Sequence, residues 1–225
     1  MEIVPGVHGV RVIGATAHLI VEDEITLIDG GHRGSGRLVQ RYLARIGRSP
    51  SDITRILCTH GHPDHIGGVA EVAGMSGASI HIHPADATRL RSGIRDVFAN
   101  PVPGQFIAFL TRPLRDPQPL LDGDVLPALG GLHVVHTPGH TPGSVCFYAP
   151  IQRLLFSGDV LQVRQGRLAR PHHIFSDDLG AAQRSVARLA ELDSETICFA
   201  HFPVLRTGAR DALRGLAADW TSSPR

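Results

Sequence analysis

The chain reads as a layered α/β domain. Three observations predict that class. Short β-rich apolar runs alternate with helix-period segments in two successive halves. Hydrophobic residues make up 42% of 225 positions, enough for one large globular core. Residues of metal-ligand type recur in Gly/Pro-rich turns directly after apolar strands, where a rigid scaffold holds functional loops.

The elements follow in order. Gly9 to Ile20 and Ile25 to Ile28 read as strands joined at the acidic turn Glu22-Asp23-Glu24, and Asp29-Gly30-Gly31 ends the second. Val39, Tyr42, Leu43 and Ile46 fall at i, i+3, i+4 and i+7 of a helix that Gly47 stops. Ile53 to Cys58 is a short apolar strand that delivers His60, and Gly67-Gly68 opens a helix through Ala73. Ala78 to His83 is the next strand. Residues 92 to 119 carry five prolines with Phe98, Phe106 and Phe109 interspersed. They read as a long, partly helical excursion, a candidate lid or subunit contact. Leu132 to Val135, Val145 to Tyr148 and Arg153 to Phe156 read as strands. Leu179, Ala182, Val186 and Leu189 mark a helix after Asp177-Asp178. Thr196 to Ala200 is a strand, and Ala209, Leu213, Leu216 and Trp220 mark a last helix. No linker and no repeat divides the chain, so the expectation is one domain over residues 1–225.

Composition narrows the function classes. A net charge of +1 gives no field for nucleic acid or an anionic membrane. No apolar run approaches the ~20 residues of a membrane helix. The start, Met1-Glu2-Ile3-Val4-Pro5, lacks signal-peptide character, and Cys58, Cys146 and Cys198 sit in apolar runs as buried reduced thiols. A cytoplasmic protein acting on a small molecule is the expectation. All 22 basic residues are arginine, which excludes Schiff-base chemistry and any lysine base.

The densest chemistry lies in Thr59-His60-Gly61-His62-Pro63-Asp64-His65. Imidazole and carboxylate are ligands suited to a zinc-type ion. Three turns add metal-competent residues: Thr137-Pro138-Gly139-His140-Thr141-Pro142-Gly143-Ser144, Phe156-Ser157-Gly158-Asp159, and Phe199-Ala200-His201-Phe202-Pro203. Asp64 could also cap a helix beginning at His65, though its neighbours favour a ligand, and Asp159 in isolation is more often a structural turn residue. Strand ends of one sheet can bring such residues together.

In this order the motifs resemble the metallo-β-lactamase-fold hydrolase superfamily, with glyoxalase II-like thioesterases and lactonases as nearer relatives. The resemblance implies a four-layer αβ/βα sandwich of two mixed β-sheets flanked by helices. It also implies two divalent metal ions, zinc first, with manganese or iron as alternatives. His60, His62 and His140 would hold one; Asp64, His65 and His201 the other; Asp159 would bridge them. Asp29, in Leu27-Ile28-Asp29-Gly30, matches a family aspartate that supports the ligands from behind. The implied reaction is attack of a metal-bridging hydroxide on a thioester, lactone or related ester, with Asp64 also orienting it or moving its proton. A homodimer is a candidate assembly. The chain departs from the family at Ala200-His201-Phe202-Pro203, where Gly-His-Gly is common.

Two alternatives stand beside this. A β-lactam hydrolase commonly uses lysine for the substrate carboxylate and asparagine near the carbonyl; lysine is absent here, and Asn100 lies in the excursion. A mononuclear iron persulfide dioxygenase would share part of the ligand set, but Val160-Leu161-Gln162-Val163 stands where that branch has its arginine-aspartate pattern. Among the other histidines, His172 and His173 are candidates for a substrate pocket or a solvated loop. His8, His18 and His32 read as surface or supporting residues. Phe106 is the candidate substrate contact within the excursion.

Overall fold

The computed structural model describes residues 1–91 and 114–222. The chain divides into two compact units, Met1–Leu120 and Leu121–Arg225. Most of the expected excursion, with Phe106, lies outside the described residues.

The first unit is built on a seven-stranded mixed sheet in sequential order. Its strands are β1 (Glu2–Val4), β2 (Val7–Arg11), β3 (Thr16–Val21), β4 (Ile25–Ile28), β5 (Ile53–Leu57), β6 (Ser79–Ile82) and β7 (Gln118–Pro119). β1 to β4 pair antiparallel, and β4 to β7 pair parallel. Ile25, Leu27 and Ile28 of β4 are all buried, as a strand covered on both faces requires. Helix α1 (Gly36–Arg45) turns Val39 and Leu43 inward, against β2 and helix α3 (Val69–Ser76). α1 ends with Ile46 as its cap and Gly47 at φ +72°, the left-handed position expected of a stop.

Two expectations change here. The run 9–20 is not one strand but the β2–β3 hairpin. The Val12 N–H donates to Ala15 O at 3.0 Å, and Gly14 takes φ +83°. Apolar Val12, Ile13 and Ala15 hid that turn, because an apolar turn does not interrupt a hydrophobic run. The helix expected from Gly67 is two pieces, α2 (Pro63–Ile66) and α3. Proline opens α2, so Asp64 lies inside its first turn rather than capping it. Helix α4 (Pro84–Arg91) was not anticipated.

The second unit holds a five-stranded sheet in the order β14-β11-β10-β9-β8 and a two-stranded hairpin, β12–β13. The strands are β8 (Val125–Leu126), β9 (Leu132–His136), β10 (Val145–Ala149), β11 (Leu154–Phe156), β12 (Gln162–Arg164), β13 (Arg167–Ala169) and β14 (Thr196–Cys198). Among the described strands of this unit, only β11 and β14 pair parallel. Helices α5 (Leu179–Leu189) and α6 (Ala209–Ser222) pack on one another; Val186, Leu189, Leu213 and Trp220 join Leu155 and Ile197 in one core. Both units are therefore mixed α/β, as the alternating pattern predicts. No helix among the described residues is long and apolar enough to cross a membrane.

Candidate metal centre

Parallel pairing of β4, β5 and β6 sends their C-terminal ends to one edge of the first sheet. The residues that follow these strands are Asp29, Thr59-His60 and the first turn of α4. Asp29 is 2% exposed and takes φ +59°, an uncommon conformation for a side-chain-bearing residue. Its Oδ1 accepts the Thr59 N–H at 2.8 Å, and its Oδ2 lies 2.8 Å from both the Thr59 hydroxyl and His65 Nδ1. A carboxylate can only accept, so Nδ1 of His65 carries the proton and Nε2 is left with its lone pair for a metal. Thr59 Oγ1 also stands 3.1 Å from His60 Nδ1, which leaves Nε2 as the outward nitrogen of that ring too.

His60 Nε2 and His62 Nδ1 are 3.1 Å apart. Two nitrogens held at about 2.0–2.1 Å from one tetrahedral zinc stand about 3.3 Å apart. The pair thus already has the spacing of two ligands on one ion. Asp64 Oδ2 lies 3.9 Å from His65 Nε2, so a second carboxylate–imidazole pair sits beside the first. Close backbone packing holds this loop. A Cβ on Gly68 would come 2.3 Å from Gly30 O, a position no side chain can take, and the Gly30 N–H donates to His65 O.

The second unit presents its own cluster. β11 and β14 run side by side in parallel, so the turns after them put Asp159 and His201 next to each other. His201 Nε2 is 3.3 Å from Asp159 Oδ2, and His140 Nε2 is 3.7 Å from the same oxygen. One carboxylate oxygen thus faces two imidazole nitrogens. His140 is 3% exposed. Its loop, between β9 and β10, is closed by the Thr137 N–H donating to Ser144 O, and by the Ser144 hydroxyl accepting from the Thr141 N–H. The segment before α5 ties it down further: the Asp178 N–H donates to Gly139 O, and the Asp177 N–H to His140 O. Asp178 caps α5 through the Ala181 N–H, so one residue serves helix and loop together.

No cysteine competes as nucleophile. All three are free and buried, and desolvation pushes the Cys146 and Cys198 thiols up to about 12. His18 is buried as well, and desolvation holds it neutral, with its pKa pushed down to about 4.

Within each unit, then, the expected residues converge: His60, His62, Asp64, His65 and Asp29 in the first, His140, Asp159 and His201 in the second. His172 and His173 stack at 4.7 Å at the start of a one-turn 3-10 helix, where His172 Nδ1 accepts the Ile174 N–H. His172 therefore has a capping role in addition to any contact with substrate. Two residues were missed. Thr59 joins Asp29 to His60, and Asp86 accepts the Gly61 N–H at 2.7 Å. Thr59 stands inside the histidine-rich motif, but nothing in its residue type marks it there. Asp86 lies 21 residues beyond His65, and nothing nearby in sequence marks it.

The chain matches known proteins along most of its length. The model of the metallo-beta-lactamase superfamily matches residues 10–201. A Bacillus subtilis protein named probable metallo-hydrolase YqgX is 33% identical over 159 residues, 66% of this chain and 67% of its own. An uncharacterized protein of Aquifex aeolicus is 30% identical, covering 74% of this chain and 76% of its own. Among solved structures, the metallo-beta-lactamase family protein TTHA1429 of Thermus thermophilus superposes with a TM-score of 0.79 at 25% identity, over 98% of this chain and 81% of that one. From the family match over residues 10–201 and these relatives, the chain belongs to the metallo-beta-lactamase superfamily of metal-dependent hydrolases.

Proposed function

We propose that this chain is a dinuclear hydrolase that cleaves a thioester, lactone or related ester of a small molecule, with zinc as its first-choice metal. The observation that carries the reading is the preset donor geometry. His60 Nε2 and His62 Nδ1 are already at one-ion spacing, and Asp159 Oδ2 is flanked by the Nε2 atoms of both His140 and His201. In this reading His60, His62 and His140 would hold one ion and Asp64, His65 and His201 the other, with Asp159 as a further carboxylate ligand.

When bound, such ions polarise a carbonyl oxygen and bring the pKa of water toward ~7. The chain's own residues do the rest. Asp29 and Thr59 fix the ring orientation of His65 and His60. Asp64, with about three-tenths of its side chain exposed, can receive the proton of the attacking water and pass it on. High thiol pKa values and the absence of lysine leave no covalent route through either residue type. Absence of lysine also argues for an ester or thioester over a β-lactam. The three free cysteines support a reducing, cytoplasmic setting.

A hydrolysis panel of acyl thioesters, lactones and nitrocefin tests this on metal-loaded protein. Turnover of thioesters or lactones that a chelator abolishes is the expected result. Turnover of nitrocefin alone, or of no ester, would overturn the substrate class.

A further inference from the structure

The loop that carries His60 and His62 has a second carboxylate under it, Asp86 of helix α4, in addition to Asp29 in the turn after β4. β6 runs parallel to β5, with Leu57 opposite His81, and the Cys58 N–H donates to His81 O at 2.9 Å. The chain leaving β6 therefore travels alongside the chain leaving β5. His83 then starts α4: its Nδ1 accepts the Ala85 N–H, and Pro84 fits the first helical position. Asp86 falls in that first turn, where the helix dipole favours a negative charge. Its side chain points back under the loop, fully buried, and Oδ2 accepts the Gly61 N–H at 2.7 Å. That distance is short for an N–H···O bond and typical of a charged acceptor.

Gly61 is the residue between the two histidines. Its N–H belongs to the peptide joining His60 to Gly61, so the bond to Asp86 fixes that plane. That plane sets how the backbone presents the His60 and His62 side chains to one another. Asp29 acts on the other side of His60, through Thr59. The histidine pair is thus clamped from both flanks by buried carboxylates. Space around Gly61 is limited as well, since a Cβ there would lie 3.3 Å from Asp86 Cβ.

We infer that Asp86 is a positioning residue for the His60–His62 pair, setting affinity and geometry at their metal without touching it. The inference rests on the proposed metal centre. Asp86 gives the pair its one-ion spacing before the metal arrives, so less ordering remains to be done on binding. Its charge also adds to that of Asp29 in favour of a cation.

The test is equilibrium competition for zinc against a chromogenic chelator, with wild type, Asp86→Asn and Asp86→Ala, alongside the visible spectrum of the cobalt-substituted proteins. Asn keeps an acceptor for the Gly61 N–H and loses the charge; Ala loses both. Asp86→Ala should bind the tighter zinc about 10–100-fold more weakly, as loss of a ligand-orienting partner usually does. Its cobalt bands should shift, while Asp86→Asn keeps wild-type bands and the smaller affinity loss. Thermal unfolding of the metal-free proteins shows whether each variant is folded. If Asp86→Ala does not fold, the comparison of Asp86→Asn with Asp86→Glu decides: Glu, one methylene longer, should displace the bands. Wild-type affinity and bands in folded Asp86→Ala, or in folded Asp86→Glu, would overturn the inference. Wild type that binds no zinc would instead overturn the metal centre itself.

Discussion

Asp29 and His65 are bound through Oδ2 and Nδ1 at 2.8 Å with both side chains buried, and the same carboxylate also receives both donors of Thr59. This one residue fixes the tautomer of His65 and the start of the loop bearing His60 and His62. Replacing Asp29 with alanine leaves three buried donors unanswered. Metal-free protein should lose about 3 kcal/mol or more in denaturant unfolding, and zinc affinity should fall. An unchanged midpoint would show that water replaces the carboxylate without loss.

Gly139 carries the turn before His140 at φ +140°, and a Cβ there would sit 2.3 Å from Ala182 N. Gly77 has φ +75° with open space around it. Gly77→Ala should cost only about 1 kcal/mol, for its backbone conformation. Gly139→Ala must also move α5 or its own loop, and should cost about 3 kcal/mol or more. Equal costs in thermal unfolding would contradict the packing described.

The thiols give a chemical check. Cys146 and Cys198 are pushed up to about 12 by burial, and Cys58 is raised well above its ordinary value by burial with help from Asp29 and Asp86. Folded protein at pH 8 should resist an alkylating reagent and keep its activity; denatured protein should react at all three cysteines. Fast modification of the folded chain would place a thiol at the surface.

His18 predicts acid sensitivity in metal-free protein. Its folded pKa of about 4 lies below the unfolded value of 6.5, so between these values the unfolded chain binds more protons. Stability from this residue is intact above pH 6.5 and declines toward pH 4, by about 3 kcal/mol across the window. His18→Gln should flatten that stretch of a stability–pH profile. An equal slope in wild type and variant would assign the acid loss to other groups.

Much of this was legible in the chain itself, for definite physical reasons. His60, His62, Asp64 and His65 stand out because they are crowded into the one short stretch that follows β5. Asp159 and His201 announce themselves by following strand-like runs that prove to be the parallel pair β11 and β14. Helices α1, α5 and α6 show in their i, i+3, i+4 apolar spacing. What stayed hidden depended on partners distant in sequence. Asp86 matters because β6 lies beside β5, a pairing no local pattern encodes. The turn at Gly14 was concealed by its apolar neighbours, and β8, β12 and β13 are two or three residues long, too short for any periodicity.

The proposed function requires these histidines and aspartates to hold a pair of divalent ions. Elemental analysis of purified wild type and His62→Ala, after removal of loosely bound metal, tests it most directly. About two ions per wild-type chain are expected, the number a two-metal site holds, with the loss of at least one from a folded His62→Ala protein. Wild type without tightly bound metal, or His62→Ala with the full wild-type complement, would contradict it.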